Sequence, residues 1–144
     1  MPGTILSALR NEPPVIRSDG RFVRDYIFVG DAVAAYLLAA ARAGEAGIAG
    51  EAFNISTGSR VPVLAAVKLV LALAGRRRLK PVIENRQLKE IREQTLDSTK
   101  ARRVLGWRPR YDLRRGLKET IPWYRNLLKE WTPSRKSQGL SKSP

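Results

Sequence analysis

SDGRFVRDYIFVGD, residues 18–31, is the stretch on which the predicted fold depends. Asp19-Gly20 is a strong two-residue turn signal, because both central positions of the favoured hairpin turn need a positive φ. The signal lies between Val15-Ile16-Arg17 and an alternating run over residues 22–29. We therefore expect a tight β-hairpin at this point of the chain.

Alternation along the second strand places neighbouring side chains on opposite faces. Arg24 shares its face with aromatic residues, whereas Asp25 lies on the aliphatic face. A guanidinium held between aromatic rings can donate a fixed fork of hydrogen bonds to phosphate oxygens, so Arg24 is the candidate for ligand contact. Asp25 is expected to accept hydrogen bonds from backbone or hydroxyl groups. From spacing alone, two surface charges or a single ion pair remain the alternative.

The composition limits the possible classes of protein. A chain of 144 residues with 43% hydrophobic content is long enough for one domain with a modest core. The absence of cysteine and histidine excludes disulfide scaffolds, thiolate metal sites and the commonest general base, so no metal site is expected. Because no signal-peptide pattern and no membrane-length apolar run occur, we expect a soluble cytoplasmic protein.

The charge balance makes nucleic acid a rival partner. The formal net charge is +14, and local clusters of basic residues occur at Arg76-Arg77-Arg78, Arg102-Arg103 and Arg114-Arg115. Such a balance attracts polyanions whatever the fold. No zinc-finger, RNP-like or clear helix-turn-helix signature accompanies the charge. We therefore interpret it as a solvated basic surface that partly faces an anionic ligand and binds nucleic acid only as a non-specific polyanion.

Periodicity and capping signals predict a small mixed α/β domain of short strands and about five helices. Asp31 is expected to cap an apolar, buried second helix, and Gly106 to end a short helix capped by Asp97, with Trp107 folding back on the core. Pro122 predicts a kink or split in the last helix, which Asp112 caps. The other predicted elements are helices over residues 2–11 and 61–74, and strands over residues 51–56 and 80–84.

Four segments together resemble the extended short-chain dehydrogenases/reductases that act on sugar nucleotides. The first, around Arg24, is similar to their Gly-x-x-x-Arg-Asp-[Tyr/Phe/Trp]-Ile-x-Val-x-Asp segment. Residues 53–58 match [Tyr/Phe]-Asn-[Ile/Leu/Phe]-[Gly/Ser]-x-Gly, and residues 97–109 match Asp-x-[Ser/Thr]-Lys-Ala-x-x-x-Leu-Gly-Trp-x-Pro. The last helix matches Leu-x-x-Gly-Leu-x-x-Thr-[Ile/Val]-x-Trp-Tyr. The chain thus resembles the carboxy-terminal portion of the NAD-dependent epimerase/dehydratase family, and residues 90–97 resemble its CDP-glucose 4,6-dehydratase-like branch.

The resemblance implies roles for particular residues. Arg24 becomes a ligand of the substrate pyrophosphate, and Asn54 is carried over to the mouth of the substrate site. Many relatives supply a second arginine from the connection that follows the predicted strand over residues 80–84, for which Arg86 and Arg92 are both candidates. Structural roles are expected for the remaining matched residues, namely Asp25, Asp31, Asp97, Gly106 and Trp107.

The resemblance also implies what this chain lacks. Relatives carry an amino-terminal Rossmann domain that binds NAD(P) and supplies a catalytic Tyr-x-x-x-Lys pair. None of the four tyrosines here is followed four residues later by lysine. Gly44, Gly47 and Gly50 reproduce a cofactor-loop spacing, but they follow a predicted helix and precede a strand, the reverse of the order that phosphate binding needs. We therefore expect no catalytic and no cofactor-binding residues, with NAD(P) implied for the intact enzyme.

These interpretations predict a sugar-nucleotide-binding domain over residues 1–131 and a disordered basic tail over residues 132–144. Its ligand would be a nucleotide-diphosphate sugar, and the chain alone would be inactive in a 4,6-dehydratase or epimerase reaction. We also expect an exposed apolar face that joins a separate Rossmann-domain chain or a second copy. Two alternatives stay open: a basic nucleic-acid-binding module, or a gene fragment with no independent function.

Overall fold

The computed structural model of the chain describes residues 1–86 and 90–131 and shows a small mixed α/β fold. The predicted tail, residues 132–144, lies outside the described residues. The helices are α1 (Pro2–Arg10), α2 (Val29–Ala41), α3 (Val63–Leu73), a short π-helix (Ala101–Leu105) and α4 (Leu113–Trp131). The strands are β1 (Val15–Ile16), β2 (Val23–Arg24), β3 (Val61–Pro62), β4 (Val82–Ile83) and β5 (Glu93–Gln94).

The strands form two small sheets, and the predicted hairpin is wrong. β1 pairs in parallel with β4, whereas β2 lies between antiparallel β3 and parallel β5. A hairpin turn of the expected type needs a positive φ at both central residues, and only Gly20 has one, at 81°. Gly20 instead leads the chain toward α3, where its carbonyl accepts the N–H of Leu64 at 2.9 Å.

A first core lies among α1, α3 and α4. Its fully buried members are Ile5, Ala8, Ile16, Val67, Val70, Leu71, Leu117 and Ile121. Asp112 caps α4 as predicted, because its Oδ1 accepts the N–H of Arg115 at 2.7 Å. Of the predicted kink or split, the split is wrong, since α4 continues through Pro122, and the kink stays a prediction. Pro122 is exposed while Ile121 beside it is buried, so packing of the inner face keeps the helix in one piece.

A second core joins α2 to the π-helix. It contains Ala35, Ile48, Ala101, Leu105 and Trp107. Two predictions about α2 are wrong. The helix begins at Val29, so Asp31 lies inside its first turn, and its side chain makes no cap bond there. The helix is also not buried all round, because only one side contacts this core. The other side exposes a run of large apolar residues, namely Val29, Val33, Tyr36 and Leu37.

The segment between the two cores differs from its prediction. Residues 51–56 do not form the predicted strand, because no described segment pairs with them. α3 begins at Val63, two residues later than expected, since Val61 and Pro62 pair with β2 instead. The strand predicted over residues 80–84 is present as β4. Within the described part of the chain, no helix is long and apolar enough to cross a membrane.

Candidate functional site

Arg24 stands at the end of β2, in the middle of the three-stranded sheet. Its Nη1 donates to the carbonyl oxygens of Val23 and Ile91, both at 2.9 Å. Its Nη2 donates to Oε2 of Glu90 at 3.2 Å. The guanidinium carbon also lies 5.5 Å from the centroid of the Phe22 ring. These contacts hold the guanidinium in one orientation, with only 23% of the side chain exposed.

The anchoring leaves part of the guanidinium available. Of the five N–H groups that an arginine carries, Nε–H and one N–H of Nη2 have no acceptor among the described residues. Nε and Nη2 form one edge of the planar group. Two such donors are the fork that binds two oxygens of a phosphate or carboxylate. The orientation of the Arg24 side chain is therefore set by the backbone carbonyls and by Glu90, and its role in binding a ligand stays a prediction.

Arg24 lines a cavity of about 180 Å³ together with Asp25, Ser56 and Gln94. A neighbouring cavity of about 410 Å³ is lined by Asn54 and Tyr36, among others. The two cavities share three apolar wall residues, Ile27, Ile55 and Leu96. The fold thus brings Arg24 and Asn54, which are 30 positions apart in sequence, to two adjoining hollows with a common wall.

Asp25 accepts a set of hydrogen bonds from the loop that follows Asn54. The hydroxyl of Thr57 donates to its Oδ1 at 2.6 Å, and the hydroxyl of Ser56 donates to its Oδ2. Weaker bonds at 3.3 Å come from the N–H of Gly58 and the hydroxyl of Ser59. Partial burial tends to raise the pKa of this carboxyl, but the four hydrogen bonds outweigh burial and lower the pKa below its ordinary value of 3.8.

Arg86 and Arg92 are the two candidates for a second phosphate ligand, and the carbonyl oxygen of Arg92 lies 3.5 Å from Nη1 of Arg24. The Nε of Arg86 pairs with Glu84 at 2.8 Å on the exposed surface. Arg92 has an exposed side chain, and its carbonyl oxygen accepts the N–H of Val23 at 2.8 Å. Neither arginine lines the hollows at Arg24 and Asn54. Their role in phosphate binding stays a prediction.

The sequence reasoning missed two features of the site. Glu90, in the polar connection before β5, supplies the carboxylate that pairs with Arg24. The only indication of Glu90 in the sequence was its position in residues 90–97, the segment that resembles one branch of the family. The hydroxyl-rich run over residues 56–59 directly follows Asn54 and satisfies Asp25. Three hydroxyl residues in a run of four, so close to a candidate ligand residue, were a signal in the sequence itself.

The matched residues with expected structural roles are mostly well bonded. The two carboxylate oxygens of Asp31 accept the N–H groups of Arg110 and Tyr111, each at 3.0 Å, so this buried aspartate braces a distant segment and not its own helix. The prediction that Asp97 caps the short helix is wrong, because the N-cap residue of the π-helix is Lys100, without a side-chain cap bond; Asp97 instead accepts the N–H of Thr99 at 2.8 Å in the turn before it. Gly106 ends that helix with a φ of 72°, and the side chain of Trp107 beside it is buried.

Further observations bear on the chemistry of the described residues. Burial raises the pKa of the Tyr26 phenol, and the nearby charge of Arg24 offsets only part of that rise, so this tyrosine stays neutral. Within residues 1–86 and 90–131, no cluster of three or more metal-ligating side chains occurs. Gly47 and Gly50 adopt positive φ in turns after α2, and no helix begins directly after them. These glycines therefore do not fit the pyrophosphate of a dinucleotide.

Comparison with known proteins relates the chain to sugar-nucleotide epimerases and dehydratases. The sequence profile of the NAD dependent epimerase/dehydratase family matches residues 1–56. A UDP-glucose 4-epimerase of Mycolicibacterium smegmatis is 36% identical over 113 residues, which cover 77% of this chain and 34% of the relative. A dTDP-glucose 4,6-dehydratase of Xanthomonas campestris pv. campestris is 29% identical over 133 residues, covering 86% of this chain and 37% of the relative.

The fold agrees with the sequence relationship. A UDP-glucose 4-epimerase from Thermotoga maritima, solved with UDP-glucose, superposes with a TM-score of 0.77 at 38% identity. The match covers 87% of this chain and 38% of that protein. The chain thus spans about a third of the length of the curated relatives it matches. The described residues have the architecture of a partial, carboxy-terminal domain of such enzymes.

Proposed function

The chain belongs to the NAD-dependent epimerase/dehydratase family, and from that premise we propose that it is the part of a 4-epimerase or 4,6-dehydratase that binds the nucleotide-diphosphate sugar. The observation that carries the proposal is the state of Arg24. Its guanidinium is fixed by backbone carbonyls and by Glu90, yet two of its N–H groups have no described acceptor at the edge of a cavity. A diphosphate supplies the two oxygens that such a fork accepts.

The surroundings of Arg24 support a ligand with a charged and an uncharged part. The small hollow offers an anionic group the N–H groups of Arg24 that have no described acceptor, while the carboxylate of Asp25 in the same lining is occupied by four bonds from its loop. The adjoining hollow offers Asn54 together with the rings of Tyr36 and Phe53. A side-chain amide and aromatic walls are the groups that bind a nucleoside or a sugar. The positive charge of the whole chain favours the approach of a dianion.

Catalysis needs groups that the described residues do not supply. NAD(P) provides the hydride acceptor in enzymes of this family, but no described segment of this chain fits the cofactor pyrophosphate. We therefore propose that the chain is inactive alone and works when an NAD(P)-binding domain lies against it.

The exposed apolar side of α2 supports such docking. Tyr36 and Leu37 are 80% and 66% exposed, and the unpaired segment over residues 51–56 lies near the same helix, with Phe53 packed against the second core. Large exposed apolar surfaces of this kind mark interfaces. The proposed occupant is a Rossmann domain, and self-association is the alternative.

Calorimetric titration tests the ligand. The purified chain is titrated with UDP-glucose, dTDP-glucose, CDP-glucose and GDP-mannose at moderate salt, alongside the variants Arg24→Ala and Arg21→Ala. Arg21 is exposed and close in sequence, so its variant removes the same charge without touching the cavity. We expect one nucleotide class to bind, with binding lost in Arg24→Ala and kept in Arg21→Ala. Absence of binding by a folded chain, or equal losses in the two variants, would overturn the proposal.

The net charge of +14 favours one second candidate, binding of nucleic acid. That function requires association with DNA or RNA that weakens steeply with salt, because counterions are released from the phosphates. It also requires Arg24→Ala and Arg21→Ala to behave alike. The same titrations with a short duplex and a short single strand, at two salt concentrations, therefore separate the two functions.

A further inference from the structure

One carboxylate fastens a whole loop of this protein to β2. Asp25 accepts hydrogen bonds from all four consecutive residues of the loop over residues 56–59, three through hydroxyl groups and one through the N–H of Gly58. A carboxylate offers about four lone-pair sites, so these donors use its accepting capacity. The acceptor is therefore saturated by the loop.

The loop is also held from within and from its far side. The N–H groups of Gly58 and Ser59 donate to the hydroxyls of Ser56 and Thr57, at 2.9 Å and 3.1 Å. On the far side, the buried hydroxyl of Ser98 donates to the carbonyl oxygen of Ser56 at 2.9 Å. The loop is thus hydrogen-bonded within itself and to Ser98, and four of its bonds to the chain around β2 go to Asp25, beside one weak bond from the Thr57 hydroxyl to the carbonyl oxygen of Tyr26 at 3.4 Å.

Two neighbouring residues of the chain set the two sides of the candidate site. Arg24 is fixed to the segment before β5 through Glu90 and Ile91. Asp25 is fixed to the loop that carries Ser56, which lines the same cavity, and that loop directly follows Asn54 and Ile55. A shift of the loop moves these wall residues relative to the Arg24 guanidinium.

We propose that Asp25 is a positioning residue for ligand binding: by holding the loop over residues 56–59, it sets the distance between the Arg24 guanidinium and the wall that carries Asn54. This inference rests on the proposed function of the site. Asp25 itself does not contact the ligand, because its oxygens are occupied by the loop. Its influence on affinity runs through loop position, and a change that keeps the charge but moves the loop must weaken binding.

Four substitutions separate positioning from a general contribution to stability. Asp25→Glu keeps the charge and lengthens the side chain by one methylene, so it displaces the loop. Thr57→Val replaces the hydroxyl donor with a methyl group in a side chain of nearly the same shape, whereas Thr57→Ser keeps the hydroxyl. Thr4→Val is the matched control, since Thr4 is partly buried in α1 and its hydroxyl has no described partner.

The experiment measures binding of UDP-glucose and of inorganic pyrophosphate by titration, and follows the Arg24 Nε–H signal in ¹H–¹⁵N spectra. Circular dichroism shows that each variant is folded at the working temperature. We expect about tenfold weaker binding of UDP-glucose in Asp25→Glu and Thr57→Val, the loss of one good hydrogen bond, and a smaller change for pyrophosphate, which does not reach the wall that carries Asn54. Thr57→Ser should recover most of the affinity. The ligand-induced shift of the Arg24 signal should need correspondingly more ligand in the weakened variants.

Each remaining outcome decides the question. If the native chain binds and the folded Asp25→Glu and Thr57→Val variants bind equally well, positioning by Asp25 is wrong while the proposed function stands. The same holds if Thr4→Val loses as much affinity as Thr57→Val, because the effect then follows stability alone. If the folded native chain binds neither UDP-glucose nor pyrophosphate, and the chemical shift of its Arg24 signal does not change, both the proposed function and the positioning role are wrong.

Discussion

Trp107 donates a 3.0 Å hydrogen bond from its indole Nε1 to the backbone oxygen of Asp31, across 76 positions of the chain. The carboxylate of Asp31 accepts the N–H groups of Arg110 and Tyr111 at the same time. A single buried residue therefore connects the first turn of α2 to the segment that leads into α4. Trp107, which takes part in this connection, belongs to the second core.

Replacement of that buried carboxylate should destabilise the whole fold. Asp31→Ala leaves two backbone N–H groups without their acceptor, which costs about 3 kcal/mol in the free energy of unfolding. Urea denaturation followed by circular dichroism measures the loss. Glu12→Ala is the control, because Glu12 is exposed and its side chain has no described partner. Equal stability of the two variants would contradict this role of Asp31.

Acidification should remove the contribution of Asp25 to stability. Its pKa in the folded chain lies below 3.8, since the hydrogen bonds from the loop outweigh the effect of burial. Its stabilising effect is therefore complete above the unfolded value and disappears as the pH falls through the lower, folded pKa. Denaturation of the native chain and of Asp25→Asn between pH 6 and pH 2 should show a stability difference that narrows below about pH 4. A difference independent of pH would disagree with this assignment.

A methyl group at Gly20 should disturb the approach of β2 to α3. Gly20 has a φ of 81°, and an added Cβ would lie 3.0 Å from the Cβ of Leu64. We expect Gly20→Ala to lower the free energy of unfolding by about 1–2 kcal/mol, from backbone strain together with the close contact. Gly44→Ala is the matched control, because nothing lies within 4 Å of its added Cβ. Thermal unfolding of both variants checks the expectation, which fails if they behave alike.

The exposed side of α2 should bind apolar dyes and promote association. Leu37→Glu places a charge on this surface, so dye fluorescence and the concentration-dependent sedimentation of the chain should both decrease. Ala65→Glu introduces the same charge at an exposed position of α3 and should leave both signals near those of the native chain. Unchanged dye binding in Leu37→Glu would mean that another surface causes it.

Local signals predicted the elements whose determinants are local. Pro2 at the start of α1, Asp112 before α4 and Gly106 after the π-helix act through their own or adjacent backbone groups, and each lies where expected. The hairpin predicted at Asp19-Gly20 is absent because β2 pairs with β3 and β5 instead of with β1. β3 and β5 come from distant parts of the chain, and no pattern within residues 18–31 identifies them.

The candidate site could be predicted only in part for the same reason. Alternation and resemblance identified Arg24, but its anchoring depends on Glu90 and on carbonyl groups, whose positions follow from the pairing of β2 with β5. The apolar composition of α2 predicted burial. The composition of a helix shows that its surface is apolar, however, but not whether another element of the chain covers that surface.

The anchoring of Arg24 has a consequence for biosynthesis. Its Nη1 reaches the carbonyl of Ile91, 67 positions further along the chain. At a translation rate of about 5–20 residues per second, β2 waits for seconds before β5 emerges from the ribosome. During that interval the edge of β2 that pairs with β5 has free backbone groups, and the apolar side of α2 is exposed, two features that make a folding chain prone to aggregate. The yield of folded protein in cells should therefore depend on how quickly residues 29–91 are translated.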